Sequence, residues 1–315
     1  MTSASARSGL EAILRSGGFA VTAELRATDG ADPLSVQRAA APLAGMVDAV
    51  NCTDNSAAHV HISPVAAAHI LIDIGLEPVV QFTCRDRNRL GLQADLLGAA
   101  ALGVHNVVCM TGDDVSVGDH PEARPLYDLD SIHLIRTARI MREGAYLSGR
   151  SLEPAPSFFV GGVENPFAPP HDFRPLRLQK KVEAGAEFFQ LQIVFNLDRL
   201  RAFMRSAVDA GIHERAFILA SVCVPRSVRT LRYLRDVVPG IDVPEEDVRR
   251  LERTPAEKQP EEGIRLAVEI VQAIREVEGL SGVHLVAIRW EEAISRVAEE
   301  AGLLPRPQPA LTPAP

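Results

Sequence analysis

Acidic side chains stand near the ends of short apolar segments, where they could take part in proton transfer. Glu24 lies near the end of the apolar segment 19–25. A carboxylate at that place is expected to be partly desolvated, which suits it to donate a proton near neutral pH. An ion pair with Arg26 at the protein surface explains the same residue equally well, so both interpretations stay open at this stage.

A second candidate is the tripeptide Thr111-Gly112-Asp113, which directly follows the apolar segment 104–110. Gly112 would let a ligand approach the backbone closely, and Asp113 would hold a carboxylate beside that ligand. An ordinary Gly-Asp turn is the alternative interpretation, because glycine and aspartate are both frequent in turns.

Two amides and a basic cluster could bind a ligand. Gln190 and Gln192 fall on one face of the segment 188–195 and could read the polar edge of a heterocycle, or satisfy each other as a buried pair. The cluster at residues 85–89 carries three arginines and could hold a phosphate or a carboxylate. A solvated group of ion pairs explains that cluster equally well.

Composition excludes several classes of protein. The 33 basic residues against 41 acidic ones give a net charge of −8, which argues against a nucleic-acid partner. No run of about 18 apolar residues predicts a membrane span, and residues 1–16 carry no secretory signal. The cysteines match no zinc spacing and predict reduced thiols in a cytoplasmic protein without a metal site. They are Cys52, Cys84, Cys109 and Cys223.

Eight apolar segments alternate with stretches of helical periodicity, which predicts a (β/α)8 barrel in the α/β class. A doubly wound sheet is the alternative, but no glycine-rich fingerprint follows the first segment. Active sites of such barrels lie at the carboxyl ends of the strands, where the polar candidates above collect. The predicted strands are 19–25, 47–52, 78–83, 104–110, 157–160, 188–195, 216–222 and 283–288.

The remaining segments complete a single-domain prediction. Residues 1–304 are expected to form one catalytic barrel, with an amphipathic start at residues 10–14 that plugs or flanks it. Residues 239–260 are charged and proline-rich, which predicts a helical insertion before the last strand. Residues 305–315 are rich in proline and alanine and predict a disordered tail.

The motifs together resemble the methylenetetrahydrofolate reductase family, in order from about residue 19 to about residue 290. No single motif is specific, but the ordered set is. The matching segments are TAEL (22–25), VNCTDN (50–55), QFTCRDRNR (81–89), TGD (111–113), GDHP (118–121), KKVEAGA (180–186) and FFQLQIVF (188–195).

The resemblance implies a barrel that binds a flavin, FAD or alternatively FMN, reduced by NADH or NADPH. It further implies that methylenetetrahydrofolate accepts the hydride from the flavin. The product of that reaction, 5-methyltetrahydrofolate, belongs to one-carbon metabolism and methionine biosynthesis. By position, Glu24 matches the general acid that protonates N10 of the folate, Asp113 the carboxylate between flavin and pterin, and Gln192 the folate-binding amide. Residues at the family's flavin-contact positions are Asn51 or Thr53, Gln81, Gly112, Asp113, Tyr127, Gly161, Asn165, Arg177, Lys180 and Lys181.

Departures from the family pattern keep two other functions under consideration. Leu25-Arg26-Ala27-Thr28 replaces a Phe-Phe-Pro-Pro segment of the family's best-known members, and Gly161 and Asn165 replace a tyrosine and a histidine. A pterin-binding methyltransferase, with or without zinc, is one alternative. A non-catalytic barrel subunit of a one-carbon complex is the other. The resemblance further implies a homo-oligomer, or a chain that works with a partner subunit.

Overall fold

The computed structural model describes residues 6–26 and 28–308. Residues 1–5, Ala27 and residues 309–315 lie outside the described residues, and with them parts of three predictions: the start of the barrel domain, the segment after the first strand and most of the tail. The described strands are β1 Ala20–Glu24, β2 Ala49–Cys52, β3 Pro78–Thr83, β4 Asn106–Met110, β5 Phe159–Glu164, β6 Phe188–Ile193, β7 Phe217–Cys223 and β8 Gly282–Val286.

The eight strands form one closed parallel barrel, which confirms the predicted fold. Each strand pairs with its neighbours in chain order, and β1 closes the ring against β8 in the register Thr22 to His284. The fifth strand differs from its prediction, because it runs four residues further, to Glu164. Two consecutive glycines weaken a strand signal locally, yet here both pair with neighbouring strands on either side.

Helices connect the strands, and several of them are capped at the amino-terminal end by a polar side chain. The side chains of Ser63, Asn88, Asp130 and Asn196 each accept a backbone N–H in the first turn of the helix that follows. The described helices are α1 Gly9–Arg15, α2 Pro33–Ala40, α3 Pro64–Asp73, α4 Arg89–Ala101, α5 Ser131–Arg142, α6 Phe173–Ala184, α7 Leu197–Asp209, α8 Val228–Asp236, α9 Glu245–Arg253, α10 Gln259–Arg275 and α11 Glu292–Glu300.

The barrel interior is apolar at its amino-terminal end. Leu10, Ile13 and Leu14 of α1 pack there against inward-facing strand residues, including the stacked rings of Phe159 and Phe188 with centroids 4.7 Å apart. The predicted amphipathic start therefore plugs the barrel. Because this end is filled, open space is left at the carboxyl ends of the strands.

The charged segment before the last strand is a helical insertion, as predicted. Helix α9 buries Val248 and Leu251, while its exposed face carries ion pairs such as that from Arg250 to Glu269. It follows α8 and precedes α10, so three helices stand between β7 and β8. The insertion thus packs against α8 and α10.

The chain near residue 306 is anchored beneath the barrel. Arg306 donates from Nε to Asp48 Oδ1 at 2.9 Å and from Nη2 to the carbonyl of Phe19. The Asp48 carboxylate is buried and also accepts the N–H of Val21 at 2.7 Å. Residues 305–308 therefore contact the barrel, and the predicted disorder of residues 309–315 stays a prediction.

Replacing Arg306 should destabilise the barrel. The substitution Arg306→Ala leaves the Asp48 carboxylate buried without its counter-ion, so we expect a loss of about 3 kcal/mol in the free energy of unfolding. Urea denaturation followed by the fluorescence of Trp290, the single tryptophan, measures it.

The matched control is Arg38→Ala, whose partner Asp32 is half exposed. That variant should lose less than about 1 kcal/mol, because ion pairs in solvent contribute little. Equal effects of the two substitutions would contradict the importance of the Asp48 pair.

Candidate functional site

A cavity of about 560 Å³ opens at the carboxyl ends of the strands and is bordered by all eight of them. This is where sequence reasoning placed the site. The predicted site residues that line the cavity are Glu24, Thr53, Gln81, Gly112, Asp113, Asn165, Arg177, Lys181 and Gln192.

Four predicted flavin contacts do not line the cavity. Asn51 is fully buried beneath it and pairs with another side chain, so Thr53 is the second-strand residue that faces the space. Tyr127 is 39% exposed on the loop after β4. Lys180 lies over the ring of Phe173, 5.8 Å from its centroid.

Gly161 is the fourth of these residues, and its surroundings explain why it is a glycine. A Cβ atom there would lie closer to the ring of Phe188 than van der Waals contact allows. The missing side chain therefore makes room for a core ring of the neighbouring strand.

The floor of the cavity is a closed network of four buried polar side chains from β1, β2, β6 and β8. Asn51 Nδ2 donates to Gln190 Oε1 at 2.7 Å, and Gln190 Nε2 lies 3.0 Å from Asn51 Oδ1. Gln190 Nε2 also reaches Thr22 Oγ1 at 3.2 Å, and Thr22 Oγ1 lies 2.9 Å from His284 Nδ1. Gln190 thus forms a buried pair with Asn51, and both Gln190 and Gln192 line the cavity.

Glu24 stands directly above this floor. Its side chain is 35% exposed, and its Oε2 lies 4.0 Å from His284 Nε2. Arg26, the ion-pair partner weighed from the sequence, lies instead beside Glu291 at 4.0 Å. The Glu24 carboxylate is therefore available to a bound molecule.

Asp113 faces the cavity from the loop after β4 and also holds a neighbouring loop. Its Oδ2 accepts the N–H of Ala57 at 2.8 Å. Ala57 and Ala58 both have left-handed backbone conformations, with φ of 53° and 57°, which cost energy in residues that carry a Cβ. The Asp113 carboxylate thus stabilises a strained loop at the rim of the cavity.

A group of cations lies on the side of β5 and α6, across the barrel from Glu24 on β1. Glu164 is buried and lies 3.0 Å from the ammonium of Lys181, with Arg174 and Arg177 at 3.7 and 3.9 Å. Three positive charges around one carboxylate leave an excess of positive charge. Burial lowers the pKa of Lys181, while Glu164 favours its charged form. Arg177 is the more exposed cation and lines the cavity.

The arginine cluster at residues 85–89 forms ion pairs. Arg85 is buried and donates two hydrogen bonds to Asp86, both at 2.7 Å, which lowers the pKa of that carboxyl. Arg87 pairs with Asp54 and Asp95, and Arg89 pairs with Asp128. The cluster therefore fits the interpretation as ion pairs, and its charges are neutralised within the protein.

The cysteines are buried free thiols. Burial raises the pKa of Cys52, Cys84 and Cys223 to about 12, which favours the neutral thiol over the metal-binding thiolate. Among residues 6–26 and 28–308, no three His, Cys, Asp or Glu side chains form a group that could hold a metal ion.

Sequence reasoning missed His284. The last strand was predicted to run to residue 288, but β8 ends at Val286. His284 faces inward together with Val286, two residues along the strand, and both line the cavity. The sequence signal that could have identified His284 is that it is the one polar residue between apolar neighbours in the predicted last strand. Because side chains of a strand alternate between its two faces, its position puts it on the inner face.

Comparison with known proteins gives a family match across most of the chain. The methylenetetrahydrofolate reductase family model matches residues 10–302. Methylenetetrahydrofolate reductase 1 of Schizosaccharomyces pombe is 22% identical over 249 residues, which are 77% of this chain. The matched region spans only 38% of the length of that relative.

Solved structures share the fold at low identity. An uncharacterised protein from Clostridium thermocellum that binds two copies of 5-methyl-5,6,7,8-tetrahydrofolic acid superposes with a TM-score of 0.63 at 14% identity, covering 93% of this chain and 98% of that one. EDTA monooxygenase from Chelativorans sp. BNC1 gives 0.54 at 9% identity, covering 93% and 97%. None of the helices described here is long and apolar enough to cross a membrane.

The glycine pair of β5 provides a test of the packing beneath the cavity. Gly161→Ala should lower the free energy of unfolding by about 2 kcal/mol, because the added methyl group overlaps the Phe188 ring. Gly162→Ala is the control, since its methyl group would meet Ile135 and Phe189 no closer than 3.2 Å. Thermal denaturation measures the stability of both variants. A larger loss of stability in Gly162→Ala than in Gly161→Ala would contradict the explanation that the Phe188 ring excludes a side chain at position 161.

Proposed function

The chain belongs to the methylenetetrahydrofolate reductase family, and from that premise we propose that it reduces 5,10-methylenetetrahydrofolate to 5-methyltetrahydrofolate. NADH or NADPH supplies the electrons, and a bound flavin, FAD or alternatively FMN, carries them. The observation that carries this proposal is the pair of available carboxylates, Glu24 and Asp113, on the same cavity as a positively charged wall.

The charges of the cavity are arranged to orient an elongated anionic ligand. Glu24 is on β1, whereas Glu164 and its cations belong to β5 and α6, and Asp113 follows β4, the neighbour of β5. In a ring of eight strands β1 and β5 are opposite each other. A ligand with a heterocycle at one end and phosphates or carboxylates at the other would therefore lie across the cavity.

The residues present fit a flavin in their charge and shape. Arg177 can reach a diphosphate, and the excess positive charge around Glu164 favours an anion there. The polar side chains Thr53, Gln81 and Asn165 border the space beside Gly112. When bound, the flavin would take a hydride from the nicotinamide and deliver it to the methylene carbon of the folate.

Glu24 supplies the proton that this reaction needs. Protonation of N10 of the folate by the Glu24 carboxyl breaks the bond between N10 and the methylene carbon and leaves an electrophilic iminium at N5. The hydride then completes the methyl group, and solvent returns the proton to Glu24. One hydride and one proton are consumed in each turnover, so the reaction is balanced.

Asp113 and Gln192 would hold the pterin in place. Both side chains line the cavity, and the carboxylate and the amide present complementary acceptors and donors to a heterocycle that carries both kinds of group. Binding through Asp113 would compete with its hydrogen bond to the N–H of Ala57. A cytoplasmic location and assembly into homo-oligomers remain predictions from the sequence and the resemblance.

The absorbance spectrum of the purified protein tests the proposal first. We expect a flavin band that bleaches on anaerobic addition of NADH or NADPH and returns on addition of methylenetetrahydrofolate. A colourless protein that takes up neither FAD nor FMN would overturn the flavin as carrier. The methyltransferase and the non-catalytic subunit would then be the functions to test.

Substitution of Glu24 tests the proton donor. Glu24→Gln keeps the size of the side chain but removes the acidic proton, so reoxidation of the flavin by the folate should slow at least about 100-fold. Reduction by NADH or NADPH should be nearly unchanged, because it needs no proton from this residue. Stopped-flow measurement of the two half-reactions separates these effects.

Glu24→Asp is the matched control. It keeps an acid on a shorter side chain and should retain part of the folate rate. Equal losses in both half-reactions of Glu24→Gln would count against the role of Glu24 as an acid.

A further inference from the structure

The buried network beneath Glu24 determines which nitrogen of His284 carries a hydrogen. In the structure Asn51 Nδ2 donates to Gln190 Oε1 and Gln190 Nε2 donates to Asn51 Oδ1, and this orientation turns the Gln190 amide nitrogen toward β1 and β8. The second hydrogen on Gln190 Nε2 then points at Thr22 Oγ1 at 3.2 Å and at His284 Nδ1 at 3.3 Å. An amide nitrogen donates and does not accept.

His284 Nδ1 therefore has to accept. A hydrogen on Nδ1 would face the amide hydrogen of Gln190 and leave the Thr22 hydroxyl without an acceptor in the network. When Nδ1 carries no hydrogen, the Thr22 hydroxyl donates to it across 2.9 Å and accepts a hydrogen bond from Gln190 Nε2. The Thr22 hydroxyl hydrogen and the second hydrogen of Gln190 Nε2 then both have an acceptor within the network, as burial favours.

The hydrogen of the neutral imidazole is consequently on Nε2. That nitrogen lies 4.0 Å from Glu24 Oε2, and His284 is 4% exposed while lining the cavity. The separation exceeds a direct hydrogen bond, but a single water can bridge it, as can a small rotation of the half-exposed Glu24 side chain.

We propose that His284 is a positioning residue that holds the Glu24 carboxylate through its Nε2–H. This inference rests on the proposed function, because it concerns Glu24 as the proton donor. A carboxylate that has just given up its proton gains a hydrogen-bond donor, which stabilises the charge that forms. The same contact keeps the carboxyl group above the floor and pointed at the bound folate.

The network explains why this donor is rigid. Thr22 is on β1, two residues before Glu24, and the amide pair links β2 with β6 across the barrel. The imidazole is thus fixed by strands on several sides, so its Nε2–H is aimed before any ligand binds. Prearranged donors of this kind need little reorganisation when charge develops.

Histidine-selective nitrogen-15 NMR tests the assignment without any turnover. The signals of His284 are identified by their absence in His284→Asn, and we expect a hydrogen on Nε2 and a bare Nδ1. A hydrogen on Nδ1 would overturn the inference, whatever the activity of the protein.

Two substitutions test the role in proton donation. An asparagine at 284 can replace Nδ1 as the acceptor for Thr22 but is too short to reach Glu24, whereas a glutamine can place an N–H near the position of Nε2. His284→Asn should slow the folate half-reaction at least about tenfold, with little change in KM, and leave reduction by NADH or NADPH within about twofold. His284→Gln should recover most of the folate rate.

The outcomes separate this inference from the proposed function. Wild-type protein that does not reduce methylenetetrahydrofolate would overturn the proposed function. Wild-type turnover with an unaffected His284→Asn variant would overturn the role of His284 alone. Equal losses in both half-reactions, or equal losses in both variants, would point to a merely structural histidine, and thermal denaturation identifies a variant that has failed to fold.

Discussion

Closure of the parallel sheet is the constraint on which every other feature depends. All eight strands point the same way and the first pairs with the last, so their carboxyl ends must meet around one opening. Residues far apart in sequence, such as Glu24, Asp113 and Gln192, are thereby brought to one cavity. Helix α1 fills the opposite end, which leaves this opening as the place for chemistry.

The interior changes from apolar to polar to charged along the barrel axis. Phe159 and Phe188 lie in the lowest layer and the amide pair in the next, with Glu24 and Asp113 above it at the mouth. Buried polar groups are costly when one partner is missing and stabilising when the network is complete. Each of the four side chains of the middle layer has a hydrogen-bond partner within it, so the layer can separate the apolar core from a cavity that must accept charged ligands.

The sequence was sufficient for the order of the strands and for the end of the barrel that holds the site, because these depend on local patterns. It ended the fifth strand four residues too early, because Gly161 and Gly162 weaken the strand signal there. It also could not pair Lys181 with Glu164 or Asn51 with Gln190. These pairs join different elements, and no spacing along the chain encodes them.

His284 illustrates the same limit within the site. Alternation in β8 predicts that its side chain faces inward, but the hydrogen it carries depends on Thr22 and Gln190, which come from two other strands. The family resemblance supplied Glu24 and Asp113 by position. The contacts of these two carboxylates, including the hydrogen bond by which Asp113 holds the strained loop, are visible only in the three-dimensional structure.

The anchoring of Arg306 to Asp48 has a practical consequence. Ser8, which caps α1, and Arg306 both lie at the amino-terminal end of the barrel, the former bonded to Asn106 and the latter to the start of β1. A fluorophore or a solid support attached at an exposed position next to Ser8 or Arg306 would sit on the far side of the barrel from the cavity. Molecules immobilised in that way would all present their open mouths to the solution.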